Sequence, residues 1–231
     1  VVTGSTDRHL PITSPQDGSN SIFTNTRTCF GAAQDLLAKM KEIAAMDFGG
    51  DVADYDVDGV TVHQIADNTV GMTYAEVAQR GMELGGKFSG ESDLPEELNT
   101  LTALSVSRLA GSALMGIYHD PRHSNNPPGF TVTFMEIELD KETGKFDILD
   151  LVTIAECGTV VHPQGLANQL RGGAVWGIGL SALERHLYDP QNGLPASSGF
   201  WQSKIPTYLD TPAEIGTGWV DLPDPENPVG A

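Results

Sequence analysis

The chain has 231 residues, 39% of them apolar, and sets 13 Lys and Arg against 31 Asp and Glu, a formal charge of −18. This length accommodates one large domain or two small ones, and the acidity repels nucleic-acid phosphates and anionic membrane surfaces. No apolar run approaches the length needed to cross a bilayer, so no membrane insertion is expected; the start, VVTGSTDRHL, lacks the zones of a signal peptide and gives no targeting information of its own, and a cytoplasmic placement is preferred to a periplasmic one. The strand-like opening without an initiating Met reads as a mature terminus, a processing product or an internal start, hence as a piece of something larger.

The first chemically suggestive stretch is TSPQDGSNSIFTNTRT, residues 13 to 28, dense in Ser, Thr, Asn and Gly. It lies immediately before a helix signalled from Gly31 to about Met46 by Ala33, Leu36, Leu37, Met40, Ile43 and Ala44 at three- and four-residue steps. Backbone N–H groups at a helix start, flanked by the hydroxyls and amides of Gly18, Ser19, Ser21, Thr24, Asn25 and Thr26, form a surface suited to phosphate. On spacing alone, a polar N-cap loop fits equally well. Gly49-Gly50 stops the helix, and alternation around Asp58-Gly59 predicts a hairpin. Thr73 with Glu76 is a capping box that opens a helix from Tyr74 to about Leu84, with Tyr74, Val77, Ala78 and Met82 expected inward. Residues 85 to 100 read as a loop, and Gly85-Gly86-Lys87 lacks the upstream Gly and following Ser/Thr of a phosphate-binding P-loop.

In the second half, His119 and His123 have a ligand-like spacing, but Pro121 breaks any helix between them and no third ligand is apparent, so a surface loop is expected. Residues 129 to 158 alternate on both sides of Asp140-Lys141-Glu142-Thr143-Gly144, a hairpin on which Glu136 and Glu138 share one solvated face. Pro163 suits the first turn of a helix whose apolar positions are Leu166, Leu170, Val175 and Ile178. Gly172, Gly173, Gly177 and Gly179 weaken that helix by up to roughly 1 kcal/mol each relative to Ala, so something rigid, a neighbouring helix or a bound cofactor, is expected against that face. Gln169 sits beside them with an amide able to give and take hydrogen bonds from a polar ring system. Beyond Asp189 the chain is irregular, with extended pieces near 201–209 and 214–220. Cys29 and Cys157 have no metal or disulfide spacing and are expected as small buried side chains, with Cys157 as a lesser candidate for lining a site. Hairpins with interspersed helices indicate an α+β fold, mixed strands and hairpins packed with helices.

These stretches, in this order and over nearly the whole chain, resemble the molybdenum-binding large subunit of the molybdenum hydroxylases, the xanthine dehydrogenase and aldehyde oxidoreductase group. GSTDRHLPITSPQDGSNSIFTNTRTCFGAAQ is similar to the family's Thr-Asp-rich strand, Ser-rich loop and Gly-x-Ala helix, here Gly31-Ala32-Ala33. AECGTVVHPQGLANQLRGGAVWGIGLSALE resembles its Asp-x-Gly, Asn/His-Pro, Gln-x-x-Gly-Gly and Gly-x-Gly series, and YDPQNGLPASSGFWQSKIPTYLDTPAEI its Tyr-Asp-x-x-Gly and Lys-x-Pro tail. Residues 1–231 then correspond to the C-terminal cofactor-binding domain of that subunit, the second half of its molybdopterin-binding region.

The resemblance implies a molybdenum ion held by a pterin dithiolene, as molybdopterin or its cytosine dinucleotide. It places Gln169 at the pterin and assigns the hydroxyl segment to the cofactor's phosphates, with Thr24-Asn25-Thr26-Arg27 standing where many relatives have Ser-Arg. Glu156 replaces the more usual Asp and His162 the usual Asn, both as supporting positions. It implies oxidative hydroxylation of an aldehyde, a purine or an N-heterocycle, or carbon monoxide chemistry, with water as oxygen source. The partners it implies are the remainder of the molybdenum subunit, an Fe-S subunit and an FAD subunit, besides a small-molecule substrate. The family's Pro-x-Gly-Ala run leads into Lys-Gly-x-Gly-Glu, whose glutamate is the general base; here Pro228-Val229-Gly230-Ala231 closes the sequence, so no catalytic residue falls within it and the glutamate is expected just beyond Ala231. A truncation, a separate chain carrying that glutamate and a cofactor-binding relic all fit this ending. The rival class is a cofactor-free assembly or scaffold subunit of the same fold.

Overall fold

The computed structural model describes residues 9, 10, 18–119 and 129–231, and the chain forms two compact units, Val1–Asn126 and Pro127–Ala231. His123 lies outside the described residues, as do Thr13 to Asp17 of the hydroxyl-rich segment. The elements mix helices with two three-stranded sheets, the expected α+β class.

The first unit is built on a long helix, α1 (Ser21–Phe48), stopped by Gly49 at φ 83°. Strands β1 (Tyr55–Val57), β2 (Thr61–Gln64) and β3 (Gly71–Thr73) form an antiparallel sheet, with Val62 opposite Val57 on one side and Met72 on the other. The predicted hairpin is β1–β2; Asp58 holds its turn by accepting from Val60 N at 2.9 Å and Thr61 N at 2.8 Å. Helix α2 (Tyr74–Leu84) starts at the predicted capping box, where Thr73 N donates to Glu76 at 2.7 Å and Glu76 N to the Thr73 hydroxyl at 3.3 Å. Met40, Ile43 and Ala44 of α1, Tyr55, Val62 and Met72 of the sheet, Val77 of α2 and Phe88 make one core. The Tyr55 hydroxyl inside it donates to the Gly49 carbonyl at 2.7 Å, as a buried phenol must. On α2 only Val77 of the expected inward set is fully buried; Tyr74 and Met82 are exposed.

Residues 85–100 are not wholly loop, because α3 (Thr100–Leu109) begins there with Asn99 accepting from Thr102 N at 2.9 Å. The segment after α3 lies along α1. Asp35 accepts from Ile117 N at 2.8 Å, and Lys39 donates to Asp35 at 2.6 Å and to the Met115 carbonyl at 3.0 Å. This contact requires Gly116, since a Cβ there would stand 2.3 Å from the Ala32 carbonyl oxygen.

The second unit begins with the predicted long hairpin, β4 (Phe130–Leu139) and β5 (Phe146–Glu156), antiparallel with a bulge between Glu136 and Ile137. Strand β6 (Ile215–Val220) pairs parallel to β5, Leu151 opposite Ile215 through Glu156 opposite Val220. Helix α4 (Pro163–Ile178) has Pro163 in its first turn and its N-terminus closed by His162 Nδ1, which accepts from Gly165 N at 2.6 Å. A π-helical turn, Gly179–Leu183, extends it, and α5 (Phe200–Ser203) is a single short turn where an extended piece was expected. The last residues fold back onto the loop after β5: Thr159 N donates to the Gly230 carbonyl at 2.6 Å and Val160 N to Asp221 at 3.0 Å.

Candidate functional site

In the first unit the structure corrects the boundary expected for the phosphate segment. The helix starts at Ser21, about three turns earlier than the apolar stripe suggested, so Ser21, Thr24, Asn25 and Thr26 belong to the helix and only Gly18 and Ser19 precede it. The reason is local and tertiary together. Thr24 donates its hydroxyl to the Asn20 carbonyl at 3.1 Å and Thr28 to those of Thr24 and Asn25, both at 3.1 Å, so these side chains support helical turns rather than competing with them. Phe23 and Arg27, four residues apart, are both buried, with the guanidinium 5.0 Å from the ring centroid.

Gly18 and Ser19 enter the helix with φ of 57° and 58° before Asn20 turns right-handed, a change of hand that brings backbone N–H groups to one side. Among the described residues Asn20 makes no side-chain cap bond and the first turn of α1 holds no acidic residue. At about 100° per residue Ser21, Thr24 and Asn25 share one face, while Thr26 stands about 140° round from Ser21, nearer Phe23. The candidates are thus not one uniform cradle. Ser19 and Asn25 are exposed, Ser21, Thr24 and Thr26 half-buried, and the Thr24 proton is already directed to a carbonyl. Arg27 is the residue that spacing overlooked; a cation in a hydroxyl-rich stretch of a chain this acidic is the signal that marks it.

In the second unit Gln169 stands on α4 at the rim of a cavity of about 540 Å³ between that helix and β4–β5. Gly173, Ala174, Gly177 and Ile178 form the helix wall; Thr131, Thr133, Met135, Ile148, Leu151 and Thr153 are on the sheet side. Thr133 and Thr153 are paired in register and joined by a 3.0 Å hydroxyl bond. Gln169 is exposed, with no hydrogen bond from its amide to another described residue, so its donors and acceptor remain available.

The glycine face divides into two kinds. A Cβ at Gly179 would meet Glu184 at 2.5 Å and Pro206 at 2.9 Å, so that glycine serves close packing. At Gly172, Gly173 and Gly177 a Cβ would meet nothing within 4 Å. Among the described residues, then, no neighbouring helix explains those three; Gly173 and Gly177 present flat backbone in the cavity beside Gln169, while Gly172 lines a second cleft with Arg171 and Trp176. A planar, polar-edged ring system fits such a surface, as an anion fits the backbone N–H groups at the start of α1 near a buried arginine.

Several other candidates are excluded by placement. Cys29 and Cys157 are exposed free thiols, not the buried side chains expected; partial desolvation of its sulfur, followed by the charges of Glu156 and Asp221, pushes the Cys157 thiol upward and away from the reactive thiolate. Glu136 and Glu138 are exposed on β4 as expected. Among the described residues no group of His, Cys, Asp or Glu could hold a metal ion, and no helix is long and apolar enough to cross a membrane.

The chain is similar to known proteins over most of its length. The family model of the molybdopterin cofactor-binding domain matches residues 1–212. The chain is 34% identical over 118 residues, half its length, to the 6-hydroxypseudooxynicotine dehydrogenase complex subunit gamma of Paenarthrobacter nicotinovorans, of which this covers 15%. It is 26% identical over 107 residues, 46% of the chain and 14% of the relative, to a putative xanthine dehydrogenase molybdenum-binding subunit of Escherichia coli K12. The fold matches the Cu,Mo-CO dehydrogenase with a TM-score of 0.59 at 22% identity, covering 93% of this chain and 24% of that one. It matches quinoline 2-oxidoreductase from Pseudomonas putida 86 with a TM-score of 0.55 at 24% identity, covering 86% of this chain and 22% of that one. The chain therefore spans about 15% of the length of these curated relatives. With the family model matched over most of its residues, the chain belongs to the molybdopterin cofactor-binding domain family and corresponds to a portion of the molybdopterin-binding subunit of molybdenum hydroxylases.

Proposed function

We propose that residues 1–231 act as one cofactor-holding domain of a molybdenum hydroxylase that oxidatively hydroxylates an aldehyde, a purine or an N-heterocycle, taking oxygen from water and passing electrons to Fe-S and FAD groups on partner chains. The observation that carries this reading is the bare glycine backbone at Gly173 and Gly177 beside the available amide of Gln169. When bound, the molybdenum–pterin supplies the two-electron redox chemistry. Gln169 hydrogen-bonds the polar edge of the pterin, and the absence of Cβ atoms at Gly173 and Gly177 lets a ring lie against the helix. The start of α1, through its backbone N–H groups, that of Gly18 among them, and the side chains of Ser19, Ser21, Asn25 and Thr26, holds phosphate, with Thr24 contributing once its hydroxyl turns from the Asn20 carbonyl. Arg27 adds positive charge one turn further in. A general base must stand within hydrogen-bond reach of the proton it takes, and that role is assigned to a residue outside 1–231.

The experiment is metal and pterin analysis of the complex purified with its subunits, beside a Gln169→Ala variant. Stoichiometric molybdenum and pterin are expected, with the variant losing most of both and its turnover. A complex lacking both would instead favour the scaffold reading, and a variant keeping full cofactor content and activity would remove Gln169 from the pterin.

A further inference from the structure

Resting on that reading, we propose that the edge of β4 left unpaired among the described residues, with the apolar side chains beside it, is the docking surface for the rest of the molybdopterin-binding subunit, which adds an extended strand to β4 and packs apolar side chains on Phe130 and Phe134. In the second unit's sheet the order is β4-β5-β6, so among the described residues β4 is paired on one side only. It is ten residues long and none of them is buried. Phe130 and Phe134 are each 66% exposed, and Met135, Ile137 and Leu139 about half. A long edge strand of this composition is a template for another strand, and water is a poor solvent for it.

Charge narrows the occupant. Glu136, Glu138, Asp140, Glu142, Asp147 and Asp150 crowd the far half of the hairpin against only Lys141 and Lys145. The added strand is therefore apolar opposite Phe130 to Met135 and carries Lys or Arg toward the hairpin tip. A second copy of the chain would bring a further charge of −18 to the same edge, which opposes self-pairing. The solved relatives supply the polypeptide instead: this chain covers 24% and 22% of theirs.

The test compares hydrogen exchange in the 231-residue chain with exchange in the chain co-expressed with the remainder of its subunit. Amides of residues 130–139 are expected to exchange at least tenfold more slowly in the assembled subunit. Phe134→Glu is expected to lower recovery of the assembled subunit at least tenfold without moving the melting temperature of the chain itself, whereas Val60→Glu, at an equally exposed apolar position of the first unit, leaves recovery unchanged. Unchanged exchange at 130–139, or equal loss from both substitutions, overturns the proposal. So does protection that rises with the concentration of the chain alone, which would identify a second copy as the occupant. Molybdenum and pterin are assayed on the same preparation. Cofactor present with β4 still exchanging fast removes the docking surface and leaves the cofactor reading intact; slow exchange in a preparation free of both does the reverse.

Discussion

At the scale of single residues, the three bare glycines of α4 and the buried contacts of α1 call for opposite outcomes on substitution. Gly173→Ala adds a methyl where nothing stands within 4 Å, in a helix interior where Gly is worse than Ala by about 1 kcal/mol. The variant chain is expected to melt slightly higher than the parent, yet to retain less pterin in the complex because the methyl occupies the proposed ring surface. Asp35→Ala has the other sign. It strands the Ile117 N–H and removes the anchor of Lys39, and the loss of a hydrogen-bonded partner to a half-buried backbone group costs about 1–3 kcal/mol. Chemical denaturation of the two variants separates a residue kept for a ligand from one kept for the fold. Gly116→Ala belongs with Asp35, since its Cβ would collide with the Ala32 carbonyl, a backbone atom that cannot turn aside.

At the scale of the element, α2 is held by its ends as much as by its face. Removing the cap with Thr73→Ala is expected to lower the stability of the first unit by about 1 kcal/mol, read as a shift in denaturation midpoint. The same cap has a definite pH dependence. Hydrogen bonds from the Thr73 N–H and hydroxyl hold the Glu76 carboxyl below its usual range. A carboxylate whose folded pKa is depressed contributes stability above its unfolded value, and that contribution is lost as pH falls through about 4 and below. Thr73→Ala should therefore matter at neutral pH and progressively less in acid. For α1, Ile43 is fully buried at the centre of the core, and Ile43→Ala is expected to cost about 2–5 kcal/mol.

At the scale of the molecule, burial is unevenly shared. The apolar core cluster lies in the first unit, while in the second the buried apolar side chains are Leu151, Ala155, Ala167 and Ile178. Native-state hydrogen exchange of the chain alone is expected to find its slowest amides in α1, α2 and β2, with the second unit's sheet opening at lower free energy. Uniform protection across both units would contradict this. Acid should weaken both units, because Asp56, Asp58, Asp67 and Glu91 in the first and Asp140 and Asp210 in the second are likewise held low, chiefly by hydrogen bonds from nearby N–H and hydroxyl groups.

What the sequence determined by itself were features whose causes lie within a few residues. The capping box at Thr73, the Asp58-Gly59 turn, the long hairpin around Asp140 and Pro163 at the start of α4 each follow from local hydrogen bonding or a fixed φ. The family, too, was legible, because ordered motifs survive in the linear chain. The start of α1 was not, since Ser, Thr and Asn argue against a helix until Phe23 and Arg27 are buried by tertiary packing. The exposure of both cysteines, the parallel pairing of β6 with β5 across some sixty residues, and the bare glycine surface beside Gln169 were decided only in three dimensions. Each depends on which distant segment arrives beside it, and periodicity along a chain carries no record of that.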